Sequence, residues 1–531
     1  MIPPAHAPGE GRLIPFTVGK EPTSVQVRRR TAPLLALSVM ASLAPALAAA
    51  PAAAAPDRSA PQKTAKTAWQ RCGPDTPASF RCATVKVPLD YRSPGGRKID
   101  VEISRIKAAD PDKRRGVLFI NPGGPGGPGL DMPVELNGLP RSVKDRYDLI
   151  GFDPRGVGRS TPLACGLSPE ERDVERPYKA ETFARDTALS RGFADKCRAK
   201  YGSALQHFTT RNTARDMDRI RAALGEKKIS YLGYSYGTYL GAVYTELFPQ
   251  RSDRIVLDSA VDPKRVWRTD FRLWGSESQK AYQRWTKWTA KRSDVYRLGD
   301  TPAKVDRTFW RIVKQADREP VVVGTTPYTG DQIRALTRRP FHTVKSAAEL
   351  VVTLKKAAAG KPTEDLETGG MDDNAASSLW AVTCGDADWP KNPETYRKDA
   401  VRDKARYPLY GDFASHINPC AFWDKAVEPP TTVDNGVRAL ILQNEWDSQT
   451  SLPGARGLRD DMKSSRMVLV EEGEGHGIYT TGSSLCVDSL TTGYLTTGAY
   501  PAKDVTCEPT PGGQRSDGPD PLPLTRPSTT A

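Results

Sequence analysis

The sequence predicts an α/β fold: a mostly parallel central sheet covered by helices on both faces, with an inserted, mainly helical cap. Two observations carry this. Short apolar runs alternate with helix-periodic segments at the spacing that strand–helix–strand units impose. That rhythm breaks from Asp262 to about Tyr410, where helical stretches rich in aromatic residues replace strand-like runs.

The elements follow in order. Residues 85–89 and 99–106 read as opening strands. Residues 116–120 form a short apolar run ending in a glycine–proline loop, as a buried strand does. Residues 147–152 form another, ending at Asp153-Pro154-Arg155-Gly156. Asn212 or Thr213 is placed to cap a helix running to Leu224, with Met217, Ile220 and Leu224 on one face. A strand over 229–232, a tight turn, a helix over 237–248 and a strand over 254–257 come next. Strand-like runs return at 439–442 and 467–470. The expected boundaries are a signal region 1–55, core 56–265, cap 266–410, core 411–507 and a disordered tail 508–531, rich in Pro, Gly, Ser and Thr.

Composition narrows the setting. The 531 residues carry a formal charge of +14, and the first 55 hold five basic and two acidic residues, so +11 belongs to the rest. No basic helix face or nucleic-acid module accompanies that charge, which favours a cationic surface over nucleic-acid binding. Arg28-Arg29-Arg30, the alanine-rich run 32–50 and the small residues 52–55 read as an export signal cleaved after Ala48, Ala54 or Ala55. The arginines also permit twin-arginine export. Pro33 and Pro45 interrupt the run, against stable membrane insertion. Eight cysteines without a C-x-x-C pair argue against zinc and, behind a signal, for disulfides. Pairing neighbours closes the smallest loops: 72 with 82, 165 with 197, 384 with 420 and 486 with 507. Free buried thiols are the alternative.

The chemistry centres on Gly233-Tyr234-Ser235-Tyr236-Gly237. With 44 glycines in 531 residues, roughly 0.2 chance G-x-S-x-G matches are expected, so the pattern alone is weak. Its place between an expected strand and an expected helix is what a nucleophile elbow requires: a strained turn lifts the hydroxyl above the sheet. A serine hydroxyl needs a histidine base oriented by a carboxylate. In α/β-hydrolases these partners follow in the order Ser, Asp or Glu, His, on loops at strand ends. Beyond the signal only His207, His342, His416 and His476 remain. Asp447 lies just beyond the run 439–442, and only His476 follows it, just past 467–470. Ser235, Asp447 and His476 are therefore the expected triad, with Glu445 and Asp434 as rivals for the acid. Oxyanion stabilisation requires backbone donors. The Tyr236 N–H is one, and the loop 121–129, with glycines at 123, 124, 126, 127 and 129, is the source of the second. A phosphate-binding reading of that loop fails for lack of a G-K-[ST] ending or a G-x-G-x-x-G pattern.

NPGGPGGPG (121–129), DPRGVGRS (153–160), GYSYGTYLGAVY (233–244), LILQNEWDSQT (440–450) and GEGHG (473–477) together resemble the tripeptidyl-aminopeptidase group of secreted actinobacterial α/β-hydrolases, relatives of prolyl iminopeptidases. The resemblance spans about residues 69–500. It implies a serine peptidase releasing short peptides from free N-termini, with Ser235, Asp447 and His476 as nucleophile, acid and base. It also implies Gly124 as the second oxyanion donor, with Gly123 next. Pro122 stands where prolyl iminopeptidases usually have histidine, and Asn444-Glu445-Trp446-Asp447 departs from the usual Gly-x-x-Asp.

Such an enzyme needs neither cofactor nor metal. Its partners are peptides with free N-termini, and a cap carboxylate is the natural receptor for the amine. Glu364, Glu367, Asp372, Asp373, Asp386 and Asp388 are candidates, though each also fits solvated surface charge. Phe271, Trp274, Tyr282, Trp285 and Trp288 fall near one helical face, which favours packing over a substrate pocket. Ester hydrolysis by the same triad, a non-catalytic binding role and cell-envelope anchoring stay open.

Overall fold

The computed structural model describes residues 67–136, 138–173, 175–338, 340–366 and 370–511. The export segment expected at 1–55, and the tail beyond residue 511, lie outside these. Among the described residues, seven strands precede the insertion: β1 (Gln70–Arg71), β2 (Arg81–Pro88), β3 (Lys98–Ile106), β4 (Gly116–Asn121), β5 (Tyr147–Phe152), β6 (Ile229–Tyr234) and β7 (Ser252–Asp258). A hairpin, β8 (Val321–Val323) and β9 (Thr326–Tyr328), sits within it. β10 (Ala439–Asn444), β11 (Arg466–Val470) and β12 (Val505–Cys507) follow.

Among the described residues, ten strands form one sheet in the order β1-β2-β3-β5-β4-β6-β7-β10-β11-β12. The β1–β2, β2–β3 and β3–β5 pairs are antiparallel and the rest parallel. β4, β5, β6 and β10 are buried at every position, as strands covered on both faces must be. Alternation divides them: Phe119, Ile150, Tyr231 and Ile441 face one core, and Leu118, Leu149, Leu232 and Leu442 the other. Register aligns Asn121 with Gly233, Tyr234 with Asp258, Asp258 with Leu442, and Asn444 with Val470. The carboxyl ends of β4, β6, β7, β10 and β11 thus share one edge, where open parallel sheets carry their sites.

Between β7 and β10 the chain is mainly helical, and much of it packs on its own cluster around Trp285, Phe309 and Val351. The hairpin β8–β9 is an addition to the helices expected there. Helix Asp373–Asp386 instead packs Leu379, Trp380 and Val382 into the core beneath the sheet. The helix expected from Asn212 or Thr213 spans Thr210–Ala223 and is capped one turn earlier. Extended Thr209 accepts from the Asn212 N–H, a role a following polar residue inside the turn cannot take. All eight cysteines pair in the neighbour order: Cys72–Cys82, Cys165–Cys197, Cys384–Cys420 and Cys486–Cys507. Among the described residues, no helix is long and apolar enough to cross a membrane.

Candidate active site

Ser235 joins β6 to helix Tyr236–Leu247 in a turn with φ 56° and ψ −124°, a strained conformation for a residue with a side chain. The flanking glycines make the turn possible. A Cβ on Gly233 would meet the Gly237 carbonyl at 2.5 Å, and one on Gly237 would meet Asn121 Oδ1 at 2.8 Å. The Ser235 N–H donates to the Asp258 carbonyl (2.9 Å), which ties the turn to the end of β7.

His476 and Asp447 come from the loops after β11 and β10. His476 Nδ1 lies 2.7 Å from Asp447 Oδ2. The carboxylate is fully buried and otherwise saturated: Oδ1 accepts from the Gln449 and Thr450 N–H groups (2.8 and 3.1 Å), and Oδ2 from Thr450 Oγ1 (2.9 Å). Burial pushes its pKa up, but the imidazoles of His476 and His342 and the Gln449 amide outweigh this and hold it below the ordinary carboxylate range. The rivals are engaged elsewhere. Glu445 accepts from the Glu472 N–H, and Asp434 pairs with Lys463 on the surface.

Residues to which the sequence assigns no role fix the histidine loop. Asp258 Oδ2 accepts from the Ile478 and Tyr479 N–H groups (3.0 and 2.8 Å). Ser259 Oγ accepts from the Gly477 N–H, and Asn444 Nδ2 donates to the carbonyls of Glu474 and Gly475. Their signal in sequence is their position at strand ends, with Asn444 also inside the 440–450 segment. Asp153, from the DPRGVGRS segment, likewise accepts from Gly129 and Leu130 (3.0 Å each) and from Arg159 (2.8 Å), bracing the glycine loop.

That loop brings Gly124 to the cavity that Ser235, Tyr236 and His476 also line. Gly124 has φ +116°, and a Cβ there would meet the Gly126 and Gly127 nitrogens at 2.7 Å. The Gly123 N–H is committed to Asn121 Oδ1 (3.1 Å). Tyr236 opens its helix, so its N–H has no intrahelical acceptor.

The cavity measures about 220 Å³. The aromatics expected to pack together divide: Tyr282 and Trp285 are buried in the insertion core and Trp288 packs against it, whereas Phe271 and Trp274 line the cavity. His342 and His416 also line it, and His416 Nε2 lies 3.4 Å from Asp186. None of the five described amine-receptor candidates lies on this wall. Asp373 accepts from the amides of Cys165, Gly166 and Leu167, Asp372 caps a helix, and Glu364 and Asp388 are exposed. Asp386 is bound by Thr210 and Trp267; burial lifts it to about 6 against those hydrogen bonds. Glu367 lies outside the described residues.

A serine on a strained strand–helix turn, an imidazole on the same cavity and a carboxylate on that imidazole's Nδ1 are the parts of a serine hydrolase. Residues 116–308 match the family model described as alpha/beta hydrolase fold, and residues 407–507 the model described as TAP-like protein. A tripeptidyl aminopeptidase of Streptomyces coelicolor is 36% identical over 471 residues, covering 83% of this chain and 86% of its own. The serine protease Hip1 of Mycobacterium tuberculosis is 30% identical over 81% of this chain and 88% of its own. Carboxylesterase B of the same species is 29% identical over 81% of this chain and 86% of its own. The chain belongs to the tripeptidyl aminopeptidase-like serine peptidases of the α/β-hydrolase fold.

Proposed function

We propose that this chain is a secreted exopeptidase that releases short peptides from free N-termini through an acyl-enzyme on Ser235. The observation that supports this reading is the 2.7 Å contact between His476 Nδ1 and Asp447 Oδ2 at a cavity shared with Ser235. With Nδ1 turned to Asp447, Nε2 on the opposite side of the ring takes the Ser235 proton as Oγ attacks the scissile carbonyl. The tetrahedral oxyanion is received by the amides of Tyr236 and Gly124. His476 then protonates the leaving amine, and the acyl-enzyme is hydrolysed by a water that the same imidazole activates. Asp447 fixes the tautomer and stabilises the imidazolium.

In this reading 56–265 and 411–507 form the catalytic core, 266–410 is a cap that limits access, and the segment before about residue 55 directs export. Four disulfides suit an oxidising compartment. The test combines fluorophosphonate labelling with a peptide-library digest read by mass spectrometry, beside Ser235→Ala. Labelling at Ser235 and products cut a fixed short distance from the N-terminus are expected. Equal turnover of free and N-acetylated peptides would overturn the exopeptidase reading.

The relative named carboxylesterase B supports a second reading, hydrolysis of short acyl esters by the same residues. A specificity constant for such esters far above that for free-amine peptide amides would favour it.

A further inference from the structure

We propose that Asp270 is the receptor for the protonated N-terminal amine of the substrate, an assignment that rests on the exopeptidase reading above. Asp270 lies in the first turn of helix Arg268–Ala290, on the cavity wall. Trp267, Asp270, Phe271 and Trp274 follow the i, i+3, i+4, i+7 spacing of one helix face, and all four line the cavity. The carboxylate is therefore set in an aromatic stripe that faces substrate.

It is buried, with 7% of its surface exposed, and its side chain makes no hydrogen bond or ion pair among the described residues. The nearby arginines are engaged elsewhere. Arg265 binds Asp262 at 2.9 Å, Arg268 binds Asp399 at 2.5 Å, and Arg272 binds Asp403 at 2.9 Å. Arg338, which also lines the cavity, is held by Glu175 at 2.6 Å. A buried carboxylate without a cation is costly, and proteins seldom leave one unless a ligand supplies the partner. An ammonium meets both features of this wall, a charge-assisted hydrogen bond to the carboxylate and the π faces beside it. A free carboxylate or phosphate on the ligand would be repelled.

Three substrates of equal length test the assignment: a free-amine tripeptide p-nitroanilide, its N-acetyl form and its desamino form, in which hydrogen replaces the amine. The wild-type enzyme should prefer the free amine about 10- to 100-fold in kcat/KM, as expected for one buried charged hydrogen bond. In Asp270→Asn that preference should collapse to within about threefold, with the loss mostly in KM. Asp270→Glu keeps the charge but moves it by one methylene. It should raise KM for the free amine several-fold and leave the desamino substrate unaffected. A wild-type enzyme without the preference overturns the exopeptidase reading, and the Asp270 assignment with it. A wild-type preference that survives both substitutions, in protein with an unchanged circular dichroism spectrum, overturns Asp270 alone. Should the asparagine variant fail to fold, the glutamate variant decides: an unaltered KM for the free amine refutes the assignment.

Discussion

Replacing Asp270 with asparagine should stabilise the protein at neutral pH and have little effect in acid. Burial, reinforced by Asp262 and Asp447 and opposed by Arg265, lifts the carboxyl from 3.8 to about 7. The unfolded chain loses this proton near pH 3.8 and the folded chain only near 7. Between those values the folded state binds more protons, so stability falls as pH rises and the loss is complete above about 7. About three pK units at 1.36 kcal/mol each set a ceiling of about 4 kcal/mol. Water entering an open cavity screens the charge and brings the observable nearer ~2 kcal/mol. Asparagine keeps the volume and removes the titration. The assay is urea denaturation of both proteins, disulfides intact, at pH 4, 6 and 8. His342, His476, Arg338, Asp262, Arg265 and Asp447 are common to both, so subtraction isolates position 270. The midpoint advantage of the variant should be small at pH 4 and grow towards pH 8. An advantage that is constant across that range, or largest in acid, refutes the reasoning.

Asp447→Asn removes the acceptor that fixes the imidazole tautomer; kcat should fall by ~10³–10⁴ with KM nearly unchanged, measured on the free-amine anilide. Thr450→Val deletes the 2.9 Å hydroxyl contact to Asp447 Oδ2. At about 1 kcal/mol for one hydrogen bond, kcat/KM should drop roughly fivefold while fluorophosphonate labelling persists. Gly124→Ala forces a Cβ against the Gly126 and Gly127 amides at φ +116° and should lower kcat by at least ~10²-fold, or prevent soluble expression. Removing Cys384–Cys420, which closes a 36-residue separation, should cost about 4 kcal/mol by loop entropy, read as a lower denaturation midpoint.

The parallel core is legible because its strands are short and mostly buried, four of them at every position, so they stand out as apolar runs between helical segments. β1 (Gln70–Arg71) and β12 (Val505–Cys507) were missed because two- and three-residue edge strands carry no periodicity. Helices Phe183–Tyr201 and Leu485–Thr497 were also missed, since charges or threonines dilute their apolar faces. At the site, motif and chain order single out Ser235, Asp447 and His476, and the structure brings His476 to Asp447 and to the cavity that Ser235 lines. They do not single out Asp270 on the cavity wall, although Phe271 and Trp274 beside it belong to the aromatic face read from the sequence. A carboxylate among surface-like charges gives no local sign of burial; only the 267, 270, 271, 274 spacing could have exposed it. Asp258, Ser259 and Asn444 act through backbone contacts to a distant loop, and no pattern in one sequence records such pairings.

Asp258 has a mechanical consequence. One residue holds the Ser235 amide through its carbonyl and the Ile478 and Tyr479 amides through its carboxylate. The turn that carries Ser235 and the loop that carries His476 are therefore tied to the same strand end.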